Sequence, residues 1–244
     1  MKHPATSKTR GNSNSNVDVD IISYKYSTNA EDDLRQIRNL FVDGMEINNS
    51  PAEYIRKSLQ ADLKHADSMN ATYFSGRGEF LMLSEEEEEE VEEEEENNNS
   101  AILSSPPSNN NGCNNGDQGD SSAKRRRIRS VKGIVGLQDI STTTGTNKHK
   151  SKDWETSEHP NLCELRRMSI HSSCRRLGYG AKLVRECISH AKGSKFDGIK
   201  VFTGAWMEAA IGFYTKMGFE DKGRLEYANG DGSSVTLAHL ELIF

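Results

Sequence analysis

The chain has 244 residues, a formal net charge of -6 and a hydrophobic fraction of 34%; this is length enough for one sizeable domain with long insertions. The negative balance excludes a generally basic nucleic-acid coat, and no apolar run approaches the ~20 residues of a membrane helix. The polar start (MKHPATSKTRGNSNSN) lacks the apolar core of a signal peptide.

Residues 1–16 carry nothing to bury and read as a disordered tail. Order begins at Val17, and Ile21, Ile22, Tyr24 and Tyr26 supply strand-forming side chains for a strand over 17–26. Leu34, Ile37, Leu40 and Phe41 then recur at helical spacing, with Asp32 and Asp33 in the first turn where negative charge suits the helix dipole. Ser50-Pro51-Ala52-Glu53 reads as a capping box with proline at the first helical position, opening a second helix whose buried face is Tyr54, Ile55, Leu59 and Leu63. A strand over Glu79 to Leu83 follows.

Composition then breaks. Glu85 to Glu96 is almost pure glutamate, followed by Asn, Ser, Gly and Pro up to the basic run Lys124–Arg129. Dense like charge repels, and the segment has no apolar surface to offset ordering entropy. The basic run is a candidate nuclear import signal or an intramolecular partner for the acidic tract. Val131–Leu137 is a short apolar strand, and a second polar gap runs over 141–160. From Asn161 to Phe244 the elements alternate: strand (Leu162–Ile170), loop, helix (Gly180–Lys192), strand (Ile199–Thr203), helix (Met207–Lys216), and two strands joined through Asn229-Gly230-Asp231-Gly232. The reading is a tail over 1–16 and one mixed α/β domain over 17–244, interrupted by a disordered acidic and Asn-rich insertion at 84–130 and a polar loop at 141–160. Four cysteines, none in a CxxC pair, read as reduced thiols with no metal-ligand spacing. The expected location is intracellular, cytoplasmic or nuclear.

The chemistry-bearing stretch is Met168-Ser169-Ile170-His171-Ser172-Ser173-Cys174-Arg175-Arg176-Leu177-Gly178-Tyr179-Gly180-Ala181. A strand enters a turn with two arginines and two glycines, and a helix leaves it. Gly178 and Gly180 bare the backbone, the helix start adds unpaired amides and the positive end of its dipole, and Arg175 and Arg176 add charge. Such a cradle suits a diphosphate.

Arg175-x-x-Gly178-x-Gly180 resembles the acyl-CoA signature of the GNAT superfamily of N-acetyltransferases. An apolar strand precedes it, and the stripe Leu183, Val184, Cys187, Ile188 and Ala191 follows. Trp206–Phe219 resembles the family's second signature, a helix ending in Tyr-x-x-x-Gly-Phe. The phrase Glu164-Leu165-x-x-Met168-Ser169-Ile170 is similar to the camello-like branch, some members of which carry a membrane anchor; no membrane role is carried over here.

The resemblance implies the GNAT fold, a mixed and partly splayed sheet flanked by helices, with acetyl-CoA as co-substrate, no metal, and direct acetyl transfer to a primary amine of a protein or small molecule. It places backbone contacts at Met168 and Ile170 and the pyrophosphate on the amides of Arg175, Arg176, Leu177, Gly178, Tyr179 and Gly180. Tyr214 takes the role of general acid toward the departing thiolate, and a strand amide such as that of Ile170 steadies the carbonyl oxygen. Glu164 is the candidate base and His171 a second one; Cys174 is a weaker candidate for a covalent route. Trp206 and Phe213 read as core residues. Two other classes compete: a catalytically silent acyl-CoA sensor or scaffold, and an interaction protein acting through its acidic tract.

Overall fold

A computed structural model of the chain describes residues 19–90, 125–140, 161–228 and 234–244. The expectations for the tail, for the loop at 141–160 and for the turn at 229–232 lie outside them. Two compact units are distinguished, residues 1–85 with 130–244 and residues 86–129.

The elements are β1 (Val19–Ser23), α1 (Ala30–Ile47), α2 (Ala52–Gln60), a short α3 (Ala66–Met69) running into a π-turn (Asn70–Phe74), β2 (Glu79–Glu90), β3 (Arg125–Asp139), β4 (Leu162–Ile170), α4 (Tyr179–Gly193), β5 (Gly198–Gly204), α5 (Glu208–Lys216), β6 (Glu220–Ala228) and β7 (Ser234–Ile243). The strands form one mixed sheet in the order β1-β2-β3-β4-β5-β7-β6. β4 and β5 pair in parallel, and β7 runs antiparallel to both β5 and β6.

Because strand side chains alternate between faces, the sheet carries two cores. One face, with Val135, Leu137, Cys163, Leu165, Ile199, Val201 and Leu240, packs on Leu183, Val184 and Cys187 of α4 and Tyr214 of α5. On the other, Phe80, Met82 and Ile134 pack on Leu34, Ile37, Leu40 and Phe41 of α1 and Tyr73 of the π-turn. The α1 stripe expected from the sequence is the stripe that is buried.

Three local expectations are corrected. The first strand ends at Ser23, whose hydroxyl accepts from the Lys25 amide and turns the chain into a 3-10 helix over Tyr24–Tyr26. The capping box at Ser50 is not formed: α2 begins at Ala52 after Pro51 with no side-chain cap. Ser50 instead closes the exit of α1, its amide donating to the Met45 carbonyl at 3.0 Å and its hydroxyl lying 3.6 Å from the Met45 sulfur. Finally, the ends of the stretch read as an insertion are strand, since β2 continues to Glu90 and β3 starts at Arg125. Opposite charges on neighbouring strands support this. Lys132 Nζ lies 3.4 Å from Glu85 Oε2, and, within the second unit, Arg129 lies 3.8 Å from Glu86.

On the α1 side of the sheet, His239 of β7 stacks on Phe202 of β5 with ring centroids 4.7 Å apart, and its Nε2 lies 3.1 Å from Glu241 Oε1. Burial depresses the imidazole pKa, with Lys200 and Lys222 adding to the effect and Glu241 opposing it. The unfolded chain therefore takes up this proton first on acidification. The neutral ring's contribution is intact above about pH 6.5 and is lost as pH falls through the lower folded-state pKa. The thermal midpoint of the wild-type protein is expected to drop more between about pH 7 and about pH 5 than that of His239→Gln; parallel curves would assign the acid sensitivity to other groups.

Candidate functional site

β4 and β5 stay paired from Leu162↔Gly198 to Leu165↔Val201 and then part, although β4 continues to Ile170 and β5 to Gly204. The cause lies in β4. Against β3, the register moves from Ile134↔Ser169 to Gly136↔Arg166, so β4 holds one more residue than its partner across this step. Arg167 sits in that bulge with φ 57°, a left-handed conformation costly for a residue with a side chain.

Arg167 is held there by charge. Its guanidinium makes two hydrogen bonds to Asp62, from Nε at 2.9 Å and Nη2 at 2.5 Å. Both side chains are buried, and Asp62 also accepts from the Tyr73 hydroxyl. The Asp62 carboxyl is destabilised by burial, but the neighbouring Arg167 and Arg166 outweigh this and hold its pKa well below the usual range. Asp62 follows α2 and Tyr73 lies in the π-turn, so the segment after α2, the π-turn and the bulge are tied at one point. This network was not legible beforehand, because no local pattern links Asp62 to a residue 105 positions away.

After β4, a 3-10 turn over Ser172–Cys174 leads into the loop. Arg175 Nε donates to the Ile170 carbonyl at 3.0 Å. Gly178 has φ 84° and no neighbouring atom that an added Cβ would meet, so backbone conformation rather than space demands glycine there. Gly178 is also the N-cap of α4 and gives no side-chain cap. The helical ladder is opened by the Lys182 N–H, which donates to the Gly178 carbonyl at 3.0 Å. The amides of residues 179–181 therefore lack intrahelical acceptors, and the helix presents them at its positive end.

A cavity of about 950 Å³ joins these parts. Its wall includes Arg175, Arg176 and Gly178 of the loop, Gly180 of α4, Met168 and Ile170 of β4, Phe213 and Tyr214 of α5, and Phe41, Tyr54 and Phe202. Tyr214 belongs to the core on the α4 face and Phe41 to that on the α1 face, so the cavity passes through the sheet where β4 and β5 part. Burial, with a smaller contribution from Cys187, raises the Tyr214 pKa far above that of a free phenol. The hydroxyl is therefore a neutral donor at ordinary pH.

The remaining expected residues fall as follows. Leu177 is 63% exposed and Tyr179 packs at the edge of the α4 core; both are absent from the cavity wall. Glu164 is also outside the wall, behind Arg166, whose Nε lies 3.6 Å from its Oε1. His171 lies in a smaller neighbouring cavity with Arg175, its Nδ1 2.8 Å from Ser173 Oγ. Cys174 is buried in the main wall. Phe213 is partly buried as expected, but Trp206 is not a core residue. It is 41% exposed on the cavity rim, because its Nε1–H donates to the Asn48 carbonyl at 2.9 Å, which holds the ring at the surface. Among the described residues no cluster of His, Cys, Asp and Glu could hold a metal ion, and no helix is long and apolar enough to cross a membrane.

Comparison with known proteins places this geometry. Residues 140–219 match the family model described as Acetyltransferase (GNAT) family. A stretch of 68 residues is 37% identical to a probable N-acetyltransferase 14 of Xenopus tropicalis, covering 28% of this chain and 32% of that protein; the chain thus matches about a third of the length of this curated relative. Among solved structures, an acetyltransferase from Streptococcus agalactiae superposes with a TM-score of 0.54 at 15% identity, covering 93% of this chain and 98% of that one. Arabidopsis thaliana NAA60 in complex with a bisubstrate analogue gives 0.51 at 12% identity, covering 93% and 99%. At these identities the structures establish a shared fold.

Removing the Arg167 guanidinium strands a buried carboxylate. Arg167→Met is expected to lower unfolding free energy by about 3–5 kcal/mol in denaturant titration. The double variant Arg167→Met/Asp62→Leu should recover part of that loss, since both charges go together. A double variant as unstable as the single one would mean the pair does not hold the bulge.

Proposed function

We propose, from the premise that this chain carries a domain of the GNAT acetyltransferase family, that it is an N-acetyltransferase that takes its acetyl group from acetyl-CoA and delivers it to a primary amine. The observation that carries the proposal is the cavity through the parted strands, with an uncapped helix start at one end and a neutral buried phenol in its wall.

The chain's residues fit acetyl-CoA. The amides at the start of α4, with Arg175 and Arg176 beside them, suit a pyrophosphate. The backbone of Met168 and Ile170, beyond the last β4–β5 pair, suits an extended amide-bearing arm added like a strand. Bound there, the co-substrate supplies an acetyl thioester: the amine nitrogen gains the C–N bond, the C–S bond breaks, and the amide and free CoA thiol leave.

Two protons must move. Tyr214 holds the first as a neutral hydroxyl in the cavity wall, donates it to the departing sulfur, and recovers a proton from the nitrogen as the tetrahedral intermediate collapses to the amide. The second must come off the acceptor ammonium. Glu164 accepts it through an intervening water, since it stands one side chain behind the wall beside Arg166.

Three measurements test these roles. Tyr214→Phe should lower kcat by about a hundredfold or more while CoA affinity stays near wild type; equal losses in both would remove the acid role. Glu164→Gln should lower kcat with little change in the KM for acetyl-CoA, and wild-type turnover in this variant would reassign the base. Gly178→Val forces a β-branched residue to a positive φ and should abolish CoA binding by calorimetry; unchanged affinity would move the pyrophosphate elsewhere.

A further inference from the structure

The two ends of the cavity differ in chemistry. Toward α4 and α5 the wall carries Arg175, Arg176 and Lys216 with the uncapped amides, a surface for anions. Toward α1 and α2 it carries Phe41, Met45, Tyr54, Phe202 and Leu237, with Asn48 and Ser50 as uncharged polar neighbours, a surface that gains more free energy from burying carbon than from pairing charge.

The rim at this second end leaves two large apolar side chains in water, Ile47 at 55% and Trp206 at 41% exposure. Trp206 is fixed. Its Nε1–H is bonded to the Asn48 carbonyl across 158 residues of sequence, and its ring lies so close over Gly204 that an added Cβ would come within 2.6 Å. An exposed ring already ordered in the free protein needs little further ordering when an apolar group packs on it.

Charge points the same way. Among the described residues the cavity wall contains no aspartate or glutamate. Its cations at this end are Arg167, neutralised by Asp62, and Arg166, which donates to Gln138 at 2.7 Å and lies near Glu164. One ammonium is served by Glu164 through the intervening water. A second ammonium on the same molecule would meet arginine and hydrocarbon inside this cavity and would be desolvated without a partner there, since Asp43 and Glu46 line only the neighbouring cavity that shares Ile47.

We propose that the acceptor is a primary monoamine on an apolar body, arylalkyl or alkyl, and that Ile47 and Trp206 bind that body; polyamines and lysine-rich segments are poor acceptors. This rests on the acetyltransferase reading and deepens it. The test separates the two. Titrate 2-phenylethylamine, hexylamine, ethanolamine and putrescine into the CoA-bound protein by calorimetry, and in parallel measure free thiol release from acetyl-CoA with each amine. Expected are affinities and kcat/KM for the two apolar amines at least about tenfold above ethanolamine and putrescine, and a collapse of that ratio in Trp206→Ala. Ethanolamine or putrescine matching the apolar amines, or no amine binding at all, would overturn the inference. Selective binding of the apolar amines without thiol release would leave the inference standing and remove the transfer reaction.

Discussion

Most of what this fold offers a ligand depends on one buried ion pair. The left-handed conformation of Arg167 is intrinsically unfavourable by about 1–2 kcal/mol, and a bulge in an interior strand forfeits ladder bonding. Asp62 offsets both by binding the guanidinium through two short bonds in a site where neither charge has access to water. Tyr73 occupies the carboxylate further, so the network has few unmet polar demands. With the bulge fixed, β4 turns away from β5, and the sheet acquires an opening where a regular ladder would have left none.

The sequence carried the elements on either side of that opening better than the opening itself. The stripes of α1 and α4 were legible because helical periodicity reports burial directly, and the strand-turn-helix around Gly178 was legible because apolar runs on either side bracket a polar turn with two glycines. The family resemblance supplied the parting of the strands; periodicity alone could not, since a bulge shifts one residue and leaves the apolar pattern nearly intact. Asp62 stood in a short linker between helices and looked like any solvated acid.

Two misreadings have a common origin. Ser50-Pro51-Ala52-Glu53 matched a capping motif, and Trp206 matched a core residue, but both sit where the chain crosses between elements. There, backbone groups left over from a helix end choose partners by proximity. Ser50 served the exit of α1 rather than the entry of α2, and Trp206 was drawn to the spare carbonyl of Asn48 at that same exit. The glutamate run shows the reverse situation. Its own composition argued against strand, but the adjacent strand supplies opposite charge at Lys132 and, within the second unit, at Arg129 of the basic run.

The passage through the sheet also bears on the order of events in the proposed reaction. A pocket with a single mouth obliges two reactants to queue, and the first product to depart before the second is free. Here the wall is drawn from both layers, so in the proposed reaction donor and acceptor would lie on opposite faces of the sheet. They would meet at the parted strands, and the chain need not carry the acetyl group itself between visits.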